Sequence, residues 1–249
     1  MGINTTGRDQ HGDHPKGPLL TSTYPVTADI LDVQTVYQPQ DDSRLLVSAM
    51  QYSGMIPGRR VLDLCTGSGY VAIAAAEMGC ASVTAFDICP HAVHFSQGNA
   101  IVAGVDLDVR EGSWIAAMTC APFDVVAANP PYVPTPAEDD IDMVSPGVGP
   151  SWAWNAGCDG RRVLDPLCAS ASDLLCAGGS LLLVQSALAG IHRSLDCLRS
   201  TGLNAEVVAC KRIPFGPVLT QRAAWLEQVG LVRSGCREEE LVVIRADKP

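Results

Sequence analysis

A chain of 249 residues is long enough for one well-buried α/β domain. With 47% apolar and 18% charged residues it is not a disordered polypeptide, and its aliphatic runs, residues 181–184 among them, are far too short to cross a bilayer. A formal charge of −10 works against nonspecific binding to a phosphate backbone, which depends on Lys and Arg displacing counterions.

Residues 1–30 carry glycine and proline among polar neighbours and show no apolar period, so they are expected to form a disordered tail ahead of a single domain over 31–249. The first eighteen residues contain no apolar segment of the signal-peptide kind, and the expected location is cytoplasmic. A helix follows from Asp41, where Leu45, Leu46, Ala49 and Met50 recur at helical spacing behind an acidic start. Aliphatic runs at 61–64, 83–86, 124–128 and 180–184 then alternate with helical stretches at 71–78, 91–102, 161–175 and 191–198. Two late runs, 205–209 and 241–244, flank a helix near 220–229. Such alternation predicts right-handed crossovers and an α/β, doubly wound, mainly parallel seven-stranded sheet with helices on both faces, although only six strand runs can be located.

Residues 61–70 read Val-Leu-Asp-Leu-Cys-Thr-Gly-Ser-Gly-Tyr, a buried strand entering a glycine turn that opens a helix. Gly67 and Gly69 let the backbone approach a ligand closely, and Asp63 places a carboxylate at the strand end. No third glycine completes a dinucleotide fingerprint, and the carboxylate disfavours a pyrophosphate. A cationic ligand with an amino group, S-adenosyl-L-methionine, fits better. Asp87 closes the next strand, where a carboxylate accepts hydrogen bonds from ribose hydroxyls.

The run 123–128 ends in Asn129-Pro130-Pro131-Tyr132. The prolines supply carbonyl acceptors without N–H donors and stiffen the turn, and the residue before a proline is held extended. The Asn129 oxygen and the Pro130 carbonyl could each accept one hydrogen of a planar –NH₂ group, with Tyr132 stacked on its face. Acceptors that bind more strongly as positive charge grows on nitrogen lower the barrier to its methylation without a strong base. If strand 1 lies between strand 2 and the strand ending at 128, Asp87 and Asn129 flank it roughly 10 Å apart.

These motifs resemble the HemK-type glutamine methyltransferases that modify translation release factors, over residues 36–183. Val36-Tyr37-Gln38-Pro39-Gln40-Asp41-Asp42-Ser43 is similar to the Y-E-P-A-E-D-T segment of the short eukaryotic and archaeal branch. The resemblance implies that Asp42 and Ser43 approach the cofactor, that Ser113 and Trp114 belong to its site, and that the substrate is a protein, with a small activating partner as a further expectation. Trp152-Ala153-Trp154 and residues 157–165 are similar to the stretch that follows the motif in that branch. Cys65 stands where the branch has its first glycine, Ser113 where an aspartate meets the adenine amine, and Gln38 where a glutamate is usual. Only sixty residues precede Val61, so the N-terminal helical domain of the bacterial members is expected to be missing.

Exocyclic amines of DNA or RNA bases present the same planar –NH₂ and remain an alternative, as do a small-molecule amine and a scaffold that binds cofactor without catalysis. No metal is expected, because the ten cysteines are scattered without a Cys-x-x-Cys pair and His91 and His94 lack a third ligand. The acidic residues Glu138, Asp139, Asp140 and Asp142, and the run 238–240, read as solvated. Trp152 and Trp154 are candidates for lining the target pocket or for packing.

Overall fold

The computed structural model describes residues 36–137 and 150–249; the expected tail and the acidic run at 138–142 lie outside them. The described elements are α1 (Asp41–Ser53), β1 (Arg60–Leu64), α2 (Tyr70–Glu77), β2 (Ser82–Asp87), α3 (Pro90–Ala103), β3 (Asp108–Glu111), α4 (Trp114–Ala117), β4 (Phe123–Ala128), α5 (Leu164–Leu174), β5 (Leu175–Ser186), α6 (Ile191–Ser200), β6 (Asn204–Pro214), α7 (Pro217–Gln228) and β7 (Glu238–Asp247). They build a seven-stranded sheet of order β3-β2-β1-β4-β5-β7-β6, in which β7 runs antiparallel to both neighbours and the first five strands are parallel. The doubly wound α/β architecture expected from the alternation is the one observed. Among the described residues no helix is long and apolar enough to cross a membrane.

The pleat divides the core. Leu62 and Leu64 of β1, Val126 and Ala128 of β4, and Leu181 and Leu183 of β5 face α5 and α6, where Leu167, Leu174, Leu195 and Leu198 are buried. Val61, Val125, Ala127, Leu182 and Val184 face the opposite layer, where Leu46 and Met50 of α1 and Val71, Ala72 and Ala75 of α2 cover them. A central parallel strand buried on both faces reads as a continuous apolar run, which is why β1, β4 and β5 stood out in the sequence.

Three elements depart from expectation. β3 escaped notice because it is a four-residue edge strand with Val109 alone buried, its charged neighbours suiting an exposed edge. The four-residue α4 carries too little period to be read. The run Glu238-Glu239-Glu240 is not a solvated turn: it begins β7, paired with Pro214, Ile213 and Arg212 of a β6 that runs well past the expected 205–209. The long β6–β7 ribbon carries Glu239 inward over the end of β5, where burial pushes its carboxyl up to about 7.

Candidate active site

The register sets the site. Leu64 of β1 lies beside Phe86 of β2 and Ala128 of β4, so the next residues along the three strands are Cys65, Asp87 and Asn129. All three line a cavity of about 320 Å³ over the carboxyl ends of the parallel strands, where open α/β sheets bind ligands. The wall also takes in Ser43, Gly67, Ser113, Trp114 and Pro131 among the residues singled out in the sequence. Asp42, Asp63, Gly69, Pro130 and Tyr132 are not part of it.

The pleat explains Asp63. It shares a face with Val61, toward α2, and is 1% exposed beneath the glycine turn. There it accepts the Thr66 hydroxyl at 2.6 Å and the Ala72 backbone N–H, which belongs to the first turn of α2. Its carboxyl therefore caps the helix from a neighbouring strand and holds the loop, with a position favourable to the helix dipole. Burial pushes it up to about 7, against the Thr66 and Ala72 hydrogen bonds, which act downward. Gly69 serves the same loop: with φ of 81°, a Cβ there would lie 2.9 Å from the Cβ of Ser96 on α3. Cys65 holds a φ of 60°, a left-handed backbone that costs a non-glycine residue roughly 1–2 kcal/mol, so the chain keeps glycine geometry at this turn despite the thiol. Burial and the nearby Asp87 and Asp63 push that thiol far up, leaving it protonated.

Asp87 accepts the Gly67 N–H on one oxygen and the Cys89 N–H on the other, both at 2.9 Å. Each oxygen retains a lone pair for a ligand donor. Burial raises its pKa from the ordinary carboxylate value, opposed by these backbone bonds. Phe86, Ile88, Cys89, Ala92 and Trp114 make the neighbouring wall apolar. Ser113 accepts from the Ile115 N–H at 3.3 Å as the N-cap of α4. A carboxylate with open lone pairs beside an apolar slot has the chemistry to suit the ribose and adenine of S-adenosyl-L-methionine.

On the other side Asn129 donates from Nδ2 to Ser43 Oγ at 3.2 Å, while its Oδ1 is buried with no partner among the described residues. Tyr132 does not stand on the wall to stack on a ligand. It is 8% exposed, packs in the core and donates its hydroxyl to Asp42 Oδ2 at 2.9 Å. Asp42, expected to approach the cofactor, also accepts the Tyr37 hydroxyl at 3.0 Å and the Ser43 N–H at 2.6 Å. Beyond the motif, Val133 pairs with Asn155, and the segment 150–163 returns to put Trp152, Asn155 and Arg162 on the cavity. The tryptophans divide: Trp152 is 45% exposed on the wall, whereas Trp154 is buried under Arg222, whose guanidinium lies 4.7 Å from the ring centroid and donates to Thr135. Tyr37, Asn155 and Arg162 were not identified as site residues from the sequence; Tyr37, inside the Y-Q-P-Q-D-D-S segment, and Arg162, inside 157–165, lie in stretches similar to the family and carried a signal that could have found them.

A family model described as the methyltransferase small domain matches residues 36–143. A candidate protein N5-glutamine methyltransferase of Methanocaldococcus jannaschii is 30% identical over 188 residues, covering 76% of this chain and 91% of that one. The release factor glutamine methyltransferase of Deinococcus radiodurans is 35% identical, covering 71% of this chain and 63% of that protein, so the bacterial relatives are longer than the shared region. Among solved structures, the E. cuniculi Mtq2–Trm112 complex responsible for methylation of the eRF1 translation termination factor shares the fold over 86% of this chain and 99% of the matched one, at a TM-score of 0.55 and 21% identity. The T. thermophilus 16S rRNA N2 G1207 methyltransferase RsmC, solved with AdoMet and guanosine, shares it at a TM-score of 0.55 and 18% identity over 85% of this chain and 44% of that one. With 30% identity sustained across nine-tenths of the archaeal relative and an Asn-Pro-Pro-Tyr turn at the end of β4, the chain belongs to the HemK-type protein glutamine methyltransferase family.

Proposed function

We propose that this chain methylates the side-chain amide nitrogen of a glutamine in a protein, a translation release factor being the substrate, with S-adenosyl-L-methionine as methyl donor. The observation that carries the reading is Asn129, a residue on the wall of a cavity that also holds Asp87 and Gly67, whose buried Oδ1 is an acceptor with no partner among the described residues. Leaving such an oxygen unpaired costs about 1–3 kcal/mol, and a donor from the target would recover it. The names of the archaeal and bacterial relatives support the glutamine amide as the acceptor.

Bound at the glycine turn, the cofactor would supply an electrophilic methyl group. Asp87 would hold its ribose, and the apolar wall from Phe86 to Trp114 its base. The target amide presents two N–H donors, and Asn129 Oδ1 accepts one of them. As the nitrogen lone pair turns from resonance to bond formation with the methyl carbon, whose bond to sulfur breaks, the N–H groups grow more acidic, so the bond to Asn129 strengthens in the transition state, and one N–H proton of the methylated nitrogen is then released to water. Cys65 stays protonated and takes no part as a nucleophile. The Mtq2–Trm112 assembly supports a small activating partner for this chain as well.

The test supplies purified protein with labelled methyl donor and separate pools of release factor, ribosomal RNA and DNA, with and without a Trm112-like protein. Label on a release factor glutamine is the expected result. Label on RNA or DNA bases instead would overturn the substrate class.

A further inference from the structure

We propose that Asp42 and Ser43 are positioning residues that set which way the Asn129 amide faces, and so make the site accept an N–H donor; this rests on the glutamine amide reading. The two ends of an asparagine amide are nearly the same shape and opposite in chemistry. Oxygen toward the cavity receives an –NH₂ target; nitrogen toward it would meet that target donor to donor. Something must therefore fix the flip, and the surroundings of Asn129 do so through a chain of one-way bonds.

The Asp42 carboxylate is the fixed end. Four donors converge on it: the Tyr37 and Tyr132 hydroxyls on Oδ2, and the Ser43 N–H and hydroxyl on Oδ1. The Ser43 hydroxyl has a single proton. It lies 3.2 Å from Asp42 Oδ1, and a bond to a carboxylate is roughly twice as strong as one to a neutral amide oxygen. With its proton committed there, Ser43 Oγ has only lone pairs to offer Asn129, so the asparagine must turn its Nδ2 toward it, as observed at 3.2 Å. Oδ1 is then left without a partner among the described residues, on a residue of the cavity wall. Asp42 is 3% exposed and off the cavity wall, which places its influence on the reaction through Ser43 and not through contact with a ligand. The tyrosine of the N-P-P-Y turn takes part by anchoring the same carboxylate, so the motif is tied to α1 at both its first and last residues.

Ser43→Ala removes the acceptor for Nδ2 while Asp42 keeps three donors, and a misaligned reacting group costs on the order of a hundredfold per ångström. The expected result is a fall of about tenfold or more in single-turnover methyl transfer, with melting temperature and cofactor affinity close to wild type. Ser43→Thr, which restores the hydroxyl, should recover most of it. Asp42→Asn, isosteric but able to donate to Ser43, should release the serine proton toward Asn129 and lower the rate similarly. Side-chain amide NMR of protein labelled at asparagine gives a readout independent of catalysis: the Asn129 –NH₂ resonances should show slowed exchange in wild type and Ser43→Thr, and lose it in Ser43→Ala. Wild-type rates and unchanged exchange in Ser43→Ala would overturn the relay. A wild-type enzyme that leaves protein glutamine unlabelled would overturn the substrate reading instead, while the exchange data would still judge the relay.

Discussion

Asn129→Ala should separate chemistry from both binding and folding. Truncation loses one neutral hydrogen bond to Ser43, worth about 0.5–1.5 kcal/mol, and removes a buried unpaired oxygen whose desolvation costs about 1–3 kcal/mol. The two act in opposite directions and are of similar size, so the melting temperature should move by no more than a few degrees. Cofactor affinity should hold, because Asp87 and the Gly67 turn lie across the cavity on β2 and after β1. Methyl transfer should fall about 10²–10³-fold, the scale for deleting one preorganised hydrogen-bond partner of the transition state. Calorimetric titration, a thermal melt and single-turnover transfer on one preparation measure the three quantities apart. Asn129→Asp sharpens the comparison: it keeps the shape and an acceptor but loses the donor to Ser43 and adds a charge two bonds away from Asp42 in the relay. A role of pure shape would leave it near wild type, whereas the orientation argument requires a loss like that of Ala. If Asn129→Ala transfers methyl at the wild-type rate, the nitrogen acceptor scheme fails.

Asp87→Ala should weaken S-adenosyl-L-methionine binding about 5- to 150-fold, from roughly 1–3 kcal/mol of lost hydrogen bonds, and unchanged affinity by calorimetry would remove Asp87 from the site. Glu239 is an acid raised from 4.5 to about 7, so between those values the folded state keeps a proton the unfolded chain releases, and stability falls as pH rises through that window. Glu239→Gln, free of that titration, should therefore gain on wild type by about 1–3 kcal/mol more near pH 8 than near pH 4.5 in denaturant melts; a pH-independent difference would contradict the burial of this carboxyl. Gly160→Ala would put a Cβ 2.5 Å from the Tyr132 carbonyl oxygen at a φ of 72°, and should cost at least about 2 kcal/mol and slow transfer with it. A variant as stable and active as wild type would show that this contact does not hold the N-P-P-Y turn.

The parallel half of the sheet was legible because β1, β4 and β5 are apolar on both faces and each ends in a change of chemistry: the glycine turn after Leu64, the prolines after Asn129, the serine after Gln185. Where a strand lies at an edge or continues into a ribbon, the same criterion loses its hold. β3 buries one side chain, and β6 alternates with so many exposed residues that its second half, from Cys210 to Pro214, resembles a loop. Only its pairing with residues 238–242 makes it a strand, and pairing between segments this far apart leaves no local pattern.

The same two-sided burial that makes β1 visible hides where Asp63 points. In a strand with one wet face, alternation assigns each side chain to a side; with Val61, Leu62 and Leu64 all buried, nothing local distinguishes a carboxylate facing a ligand from one turned under α2. Position at the strand end was readable, and direction was not. Tyr132 shows the matching limit for long-range contacts. An aromatic residue after two prolines beside a cavity suggests stacking, yet its hydroxyl reaches an aspartate 90 positions earlier, and that bond makes the tyrosine a strut for the turn. A strut is as necessary to the chemistry as a stacking platform but acts on a different quantity. Removing the hydroxyl with Tyr132→Phe leaves the apolar packing intact, takes one of four donors from Asp42, and should loosen the geometry on which Asn129 depends, whereas loss of a stacking surface would weaken substrate binding and leave the asparagine where it is.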